Sequence, residues 1–254
     1  MTSAPGTVRT DADVVPDPSV DNVTERVLIT GEHYAEPMIH RSLQVVEGTS
    51  GLRVDPAHDE YLYVLDGDLE VTIEGERVAA AAGTAFQILA GEAWQVTVAA
   101  GSAHVLSFLV PAPVSPWAAA LAKPVDRVEH VAHLGAQAQE AATADRQFEV
   151  LFNRDRGSRG ATMFVGFIPT SGAPEHYHLY DEICVIIRGS GVLHTCGTRQ
   201  SINTGSAFHV APRLLHALEN PNPEDLWLLG VFRPEGSAAA AYYPDGRPAP
   251  NNED

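Results

Sequence analysis

Cysteine is nearly missing from this chain. Two thiols in 254 residues, Cys184 and Cys196, are too few for a disulfide framework or a four-cysteine zinc site, and they read as reduced. Basic residues are scarce too: 16 Lys and Arg stand against 33 Asp and Glu, a formal net charge of −17. Binding to phosphate needs a cationic face, so nucleic acid and anionic membrane surfaces are disfavoured as partners. No apolar run approaches the roughly 20 residues of a membrane-spanning helix. The first 22 residues lack the basic-then-apolar pattern of a secretory signal. There is no G-x-S-x-G elbow, no phosphate-binding G-x-x-x-x-G-K-[ST], and no G-x-G-x-x-G opening a helix. These absences lead us to expect a soluble, cytoplasmic protein with a small-molecule partner and neither a nucleic-acid nor a membrane one.

What is present is a substantial core, 44% hydrophobic residues against 19% charged. Short apolar runs punctuated by glycine recur along it: YLYVLDG, LEVTIEG, AFQILAG and HVLSFLV, then TMFVGFIP, EICVIIRG, GVLHTCG and LWLLGVF. Their length, their Val, Ile and Phe content and their turn residues predict strands. Helix formers concentrate only in 116–145, where AAALA and AQAQEAATA predict a partly helical connector. Residues 1–22 and 244–254 are polar and proline-rich, and read as a flexible leader and tail. The fold class is mostly β.

An internal repeat organises these strands. A shift of 122 residues lays Asp59-Glu60 on Asp181-Glu182, Gly67 on Gly189, Gly75 on Gly197, Gly83 on Gly205, and Ala85-Phe86 on Ala207-Phe208. One register held through several strands means two copies of one β unit. They are expected over 23–115 and 146–243.

Chemistry concentrates in the second copy. His176, His178 and Glu182 stand in GAPEHYHLYDEICVIIRG. Side chains alternate along a strand, so the two histidines share a face, and Glu182 keeps that parity if the strand is continuous. His216 follows in GSAFHVAPRLLHALEN, on a later strand. A lone His-x-His is ordinarily surface polarity. Three imidazoles and a carboxylate converging inside a barrel instead suit a divalent first-row metal and leave positions open for substrate or water.

This combination resembles the cupin family, whose motifs are G-x5-H-x-H-x3,4-E-x6-G and G-x5-P-x-G-x2-H-x3-N. Carried over residue by residue, the resemblance implies that His176, His178, Glu182 and His216 hold one metal ion per chain. Gly189, Gly205 and Asn220 match the family's structural positions. The departures alter turns and remove no ligand: Gly172 stands closer to the first histidine than in the motif, Pro212 is one place late, and Arg213 replaces a glycine. In the first copy Val54, Pro56 and Trp94 stand opposite His176, His178 and His216. Glu60 alone survives, so that copy is expected to bind no metal, with His58 and Glu60 satisfied at a barrel mouth.

The resemblance thus implies two tandem jelly-roll barrels, a bicupin with a metal only in its C-terminal half. Strand parity adds Cys184 and Asn220 to the pocket. Tyr177, Tyr180 and Arg188 are candidate substrate contacts, Arg188 being suited to a carboxylate. His194 and His209, on neighbouring strands, join Glu182 as candidates for proton transfer. In function the resemblance implies first a non-haem iron (di)oxygenase, with Fe(II) favoured over Mn, Ni, Co and Zn. The alternatives are a metal-dependent isomerase, lyase or cyclase, and a non-catalytic small-molecule binder. Open β edges would suit a homodimer.

Overall fold

The computed structural model describes residues 4–31, 36–112 and 127–252. The glycine-bounded runs form strands, and the repeat is visible strand by strand. The first copy contains β1 (Val23–Thr30), β2 (Ile39–Thr49), β3 (Arg53–Val54), β4 (His58–Asp66), β5 (Leu69–Ile73), β6 (Glu76–Ala80), β7 (Thr84–Ile88) and β8 (Ala93–Pro111), to which β9 (Val131–His133) is added. The second contains β10 (Glu140–Ala141), β11 (Gln147–Phe152), β12 (Thr162–Ile168), β13 (Ala173–His176), β14 (Asp181–Arg188), β15 (Ser190–Thr195), β16 (Thr198–Asn203), β17 (Ala207–Val210), β18 (His216–Glu219) and β19 (Leu226–Arg233). The matched glycines share backbone geometry. Gly67 and Gly189 have φ of 86° and 88°, and Gly83 and Gly205 both have 90°, a left-handed conformation that a Cβ disfavours.

Two tandem barrels result. In the first, β1, β2, β8, β4, β7 and β9 lie side by side, with β3 and β5 attached through β8 and β6 paired to β5. In the second, a six-stranded sheet β10-β11-β12-β19-β14-β17 faces a four-stranded sheet β13-β18-β15-β16. The difference lies in one element. β8 runs unbroken for 19 residues, whereas its counterpart is split into β18 and β19 by a turn that Asn220 pins. The Asn220 amide donates to the carbonyls of Ile168 and Glu224, and its oxygen accepts from the Asn222 amide.

Phe86, Val64 and Val96 fill the first barrel, and Phe164, Phe208, Phe232 and Leu218 fill the second. A third cluster, including Tyr61, Phe108, Phe152, Met163, Val185 and Val231, packs one barrel against the other. Tyr61 Oη meets Ser158 Oγ at 2.6 Å across this joint, and Arg159 pairs with the buried Asp59. The joint explains why β14 reads as a continuous apolar run. Its residues alternate between the barrel interior and the other barrel, so both faces are covered.

One expectation is corrected, and two terminal segments are placed. The connector is not helical over its described part, 127–145: β9 pairs with β7 and β10 with β11. Helix formers there lack a periodic apolar face to bury, and free sheet edges offer better partners. Residues 113–126, with the AAALA run, lie outside the described residues. The leader, expected to be flexible, is bonded to the second barrel: the Gly6 amide donates to the His209 carbonyl at 2.7 Å, and Arg9 exchanges two backbone bonds with Ala207. The tail folds back as well, with the Ala249 amide on the Ala241 carbonyl and Thr143 Oγ1 on the Pro250 carbonyl. Polar, proline-rich segments cannot build their own sheet but can complete an edge.

One buried base in the first barrel makes stability depend on pH. His40 is fully buried, stacks on Phe108 at 4.6 Å, and has Nδ1 3.1 Å from the Ser107 carbonyl. Burial lowers its pKa to about 3. Between the ordinary value of 6.5 and about 3 the unfolded chain takes up a proton there that the folded chain refuses. Stability contributed by the neutral ring is complete above that window and falls with pH through it. In urea unfolding from pH 7 to pH 4, His40→Phe is expected to flatten the acid loss by up to about 1.4 kcal/mol per pH unit. Parallel wild-type and variant curves would refute this.

Candidate metal centre

The chain reaches one point between the two sheets of the second barrel from three directions. His176 ends β13 and is paired in register with His216, the first residue of β18. Beyond His176 the strand stops, and residues 177–180 cross to the opposite sheet, where Glu182 lies in β14. The continuous strand that would have preserved parity is therefore absent, yet the crossing turns His178 back toward the other two rings. Ring centroids are 4.8 Å apart for His176 and His178, 4.3 Å for His176 and His216, and 5.2 Å for His178 and His216. Their candidate ligand nitrogens lie within 4.8 Å of one another, and all three residues are buried. Glu182 Oε2 stands 3.9 Å from His178 Nε2.

Each ring is oriented the same way. Nδ1 of His176 donates to the Pro174 carbonyl at 2.6 Å, that of His178 to the Ala240 carbonyl at 2.7 Å, and that of His216 to the Leu214 carbonyl at 2.9 Å. A carbonyl can only accept, so the proton sits on Nδ1 and each Nε2 lone pair is free to bind. Burial, reinforced by the neighbouring rings, holds His176 and His178 well below the usual imidazole range, and burial lowers His216 to about 4. All three are neutral at pH 7, the form that binds metal. Burial raises the Glu182 carboxyl to about 7, partly offset by a hydrogen bond with the Cys184 thiol and by the charge of Arg146. Gly230 leaves room for that carboxylate: a Cβ there would meet Glu182 Oε1 at 2.7 Å. Three neutral imidazoles and one anionic oxygen in a small enclosed space fit a divalent first-row transition metal.

A cavity of about 50 Å³ opens beside these residues. Phe148, Phe164, Phe167, Phe208, Leu218 and Leu228 line it, with Arg146, Tyr180 and Cys184 among its polar groups. Tyr180, a residue singled out from sequence, stacks between His178 at 4.5 Å and Phe232 at 3.9 Å, and its hydroxyl has no partner. Cys184 also lies here, bonded to Glu182, with its thiol raised well above the ordinary range by burial and the nearby carboxyl. Arg146 was missed. It precedes β11, where the first copy has Thr24, and a lone arginine in a turn carries no motif; the unmatched cation at a repeat position was the one signal available.

The other nominated residues lie elsewhere. His194 points out of the barrel and bonds Glu219 at 2.9 Å, because Leu193 takes the inward position on β15. His209 is fully buried, on the opposite face of β17 from the cavity, with Nε2 2.6 Å from Asp181 Oδ1. Tyr177 stacks on Tyr242 outside the cavity. Arg188 lies over Trp227 in a separate groove between the barrels. Asn220 holds its turn and does not line the cavity. Among these, strand parity was the ground for Asn220 alone, and it does not apply there because β18 ends at Glu219 and Asn220 lies in the turn beyond it.

At the matching position in the first barrel a different solution is built. Glu60 Oε1 accepts from Arg41 Nη2 and Ser107 Oγ, both at 2.5 Å, and Oε2 accepts from the Trp94 indole at 3.2 Å. The Trp94 indole thus stands at the repeat position of His216, and Arg41, from β2, supplies a cation directly to the carboxylate. His58 is bonded to Asp55. Among the described residues the one cluster of three or more potential metal ligands is His176, His178 and His216.

Comparison with known proteins agrees with the fold and its internal repeat. The family model described as "Cupin domain" matches twice, at residues 41–110 and 163–232. No curated protein matches in sequence. Among solved structures the chain is similar to protein Ylba from E. coli, with 12% identity, a TM-score of 0.71 and 89% of each chain covered. It is similar to AerE from Microcystis aeruginosa, with 15% identity, a TM-score of 0.66, and 87% of this chain and 97% of that one covered. It is also similar to a single-residue variant of oxalate decarboxylase from Bacillus subtilis, with 15% identity, a TM-score of 0.68, and 94% of this chain and 80% of that one covered. At these identities the likeness speaks for the fold.

Two outcomes are expected. Titration with Co(II), followed by visible d–d absorption and calorimetry, should saturate near one ion per chain, and His176→Ala or His216→Ala should weaken binding at least about 100-fold. Uptake unchanged in both variants would place the metal elsewhere. In the first barrel, Arg41→Met leaves Glu60 without its cation. It should lower unfolding free energy by about 3–5 kcal/mol at pH 7 without changing Co(II) stoichiometry; a neutral effect would show that the pair is solvated.

Proposed function

The chain belongs to the cupin family, and we propose that it is a metal-dependent enzyme acting on a small organic molecule in the cavity of its C-terminal barrel. The observation that carries this reading is the convergence of three Nε2-presenting imidazoles and Glu182 on one side of a cavity with room for a small ligand. A divalent ion bound there would act as a Lewis acid and an anchor for an oxygen-bearing substrate. Iron and manganese are the ions we favour; the oxalate decarboxylase to which the chain is similar has Mn(II) centres.

The protein's own groups give the cavity a direction of chemistry. Glu182 stands beside the three imidazoles and lines the cavity, where its carboxylate is within reach of a substrate proton, while the aromatic walls limit water. Of the three proton-transfer candidates read from the sequence, Glu182 alone lines the cavity. Lyase, isomerase or cyclase chemistry, in which a proton moves and no oxidant is consumed, is therefore our first reading. Oxygenation, which the family resemblance placed first, is the second, and it rests on the same open metal positions.

The discriminating experiment loads the protein with Mn(II) or Fe(II) under nitrogen and presents a panel of small oxygenated acids, following product by NMR and oxygen by electrode. We expect turnover without oxygen uptake, reduced at least about 100-fold in Glu182→Gln, with metal content measured alongside. Uptake of one O₂ per product would select the oxygenase. Failure of the wild type to retain metal would end both readings.

A further inference from the structure

The cavity contains a cation without an ion-pair partner. Arg146 reaches in from the turn between β10 and β11. Its Nε–H donates to the Thr143 carbonyl at 2.8 Å, which fixes the guanidinium plane. Among the described residues that is its one hydrogen bond, and no carboxylate forms an ion pair with it. Both Nη groups are therefore left over. Its charge is felt across the site, disfavouring protonation of His176, His178 and His216. Other arginines facing a buried carboxylate here have been given a partner: Arg41 has Glu60, and Arg159 has Asp59.

A second polar group is unsatisfied in the same cavity. The Tyr180 hydroxyl is buried without a hydrogen-bond partner, although its ring is clamped between His178 and Phe232. A buried phenol without a partner is costly, and native structures keep such groups where a ligand completes them; the Arg146 Nη donors beside it have no protein acceptor among the described residues. The outer edge of a guanidinium offers two parallel N–H donors that match the two oxygens of one carboxylate.

We propose that Arg146, assisted by the Tyr180 hydroxyl, is the substrate-recognition element of this site and that the substrate class is a small organic acid. The carboxylate lies on the free edge of Arg146 and accepts from Tyr180, and the rest of the molecule points toward His176, His178 and His216. The cavity's size limits that remainder to a few heavy atoms, as in a 2-hydroxy or 2-oxo acid. This assignment rests on the reading of the cavity as a metal-dependent site and adds the substrate class to it. The arginine suggested from the sequence for this role, Arg188, lies in another groove, so the specificity residue is one that no motif marks.

The test compares acid with amide: glycolate against glycolamide and pyruvate against pyruvamide, by calorimetry on the Co(II)-loaded and the metal-free protein. The wild type should bind each acid about tenfold or more tighter than its amide. Arg146→Gln should reduce that preference to within about twofold while keeping its Co(II) stoichiometry, and Arg146→Lys should restore part of it. Tyr180→Phe should weaken acid binding by about threefold to tenfold. Near-UV circular dichroism checks that each variant is folded. An acid preference undiminished in both Arg146 variants, or absent from the wild type, overturns the assignment. Wild-type protein that takes up no Co(II) would sink the metal reading alone, because the acid-over-amide comparison on the metal-free protein still decides Arg146.

Discussion

A carboxylate buried at the same place in each barrel is the constraint around which the rest of this structure is arranged. Glu60 and Glu182 are each about 4% exposed or less, and each enters from an interior strand of its sheet, β4 and β14. A lone carboxylate there would be untenable. The first barrel answers with an internal cation, Arg41, and with the Trp94 indole. The second gathers three neutral imidazoles, which cannot neutralise the charge themselves but can hold an ion that does. Where the second barrel sets three histidines beside its carboxylate, the first sets a guanidinium and an indole.

The first barrel is tied to the second through packing. Tyr61, Phe108 and Val110 of the first copy share one apolar cluster with Phe152, Met163, Val185 and Val231 of the second. β14, which supplies Glu182 and Cys184 to the cavity, turns its alternate residues into that cluster. Its position is thus set from both sides, by barrel contents and by the neighbouring barrel. Asp181 and His209 are buried on that outer face, which explains how a histidine one strand from the candidate ligands can lie wholly outside their cavity.

The repeat, the β class and the converging histidines were legible from sequence because each is written in local spacing: glycines where a left-handed turn is required, and ligands two apart on a strand. The connector was misread because its alanines speak for helix only where nothing else competes, and the free edges of β7 and β11 compete. Arg188 and Arg146 show the harder limit. Both are single cations near a strand end. Which one faces the cavity depends on how residues 140–147 fold over the barrel mouth, a tertiary outcome that residue type does not encode. Asn220 stood at a family position and was read as a pocket residue, whereas its amide and carbonyl are all spent on the turn that separates β18 from β19.

The Nδ1 proton of His178 is received by the carbonyl of Ala240, 62 residues further along the chain, in the segment that also pairs Tyr242 with Tyr177. His176 and His216 take their carbonyls from residues two positions away and are oriented as soon as their own loops form. During synthesis the ligand set is consequently assembled in order. Two rings are set locally, and the third is set only after the polypeptide beyond β19 has left the ribosome and folded back across the barrel mouth. An ion held by the three rings would therefore meet a complete set of oriented nitrogens only once the segment around Ala240 is in place.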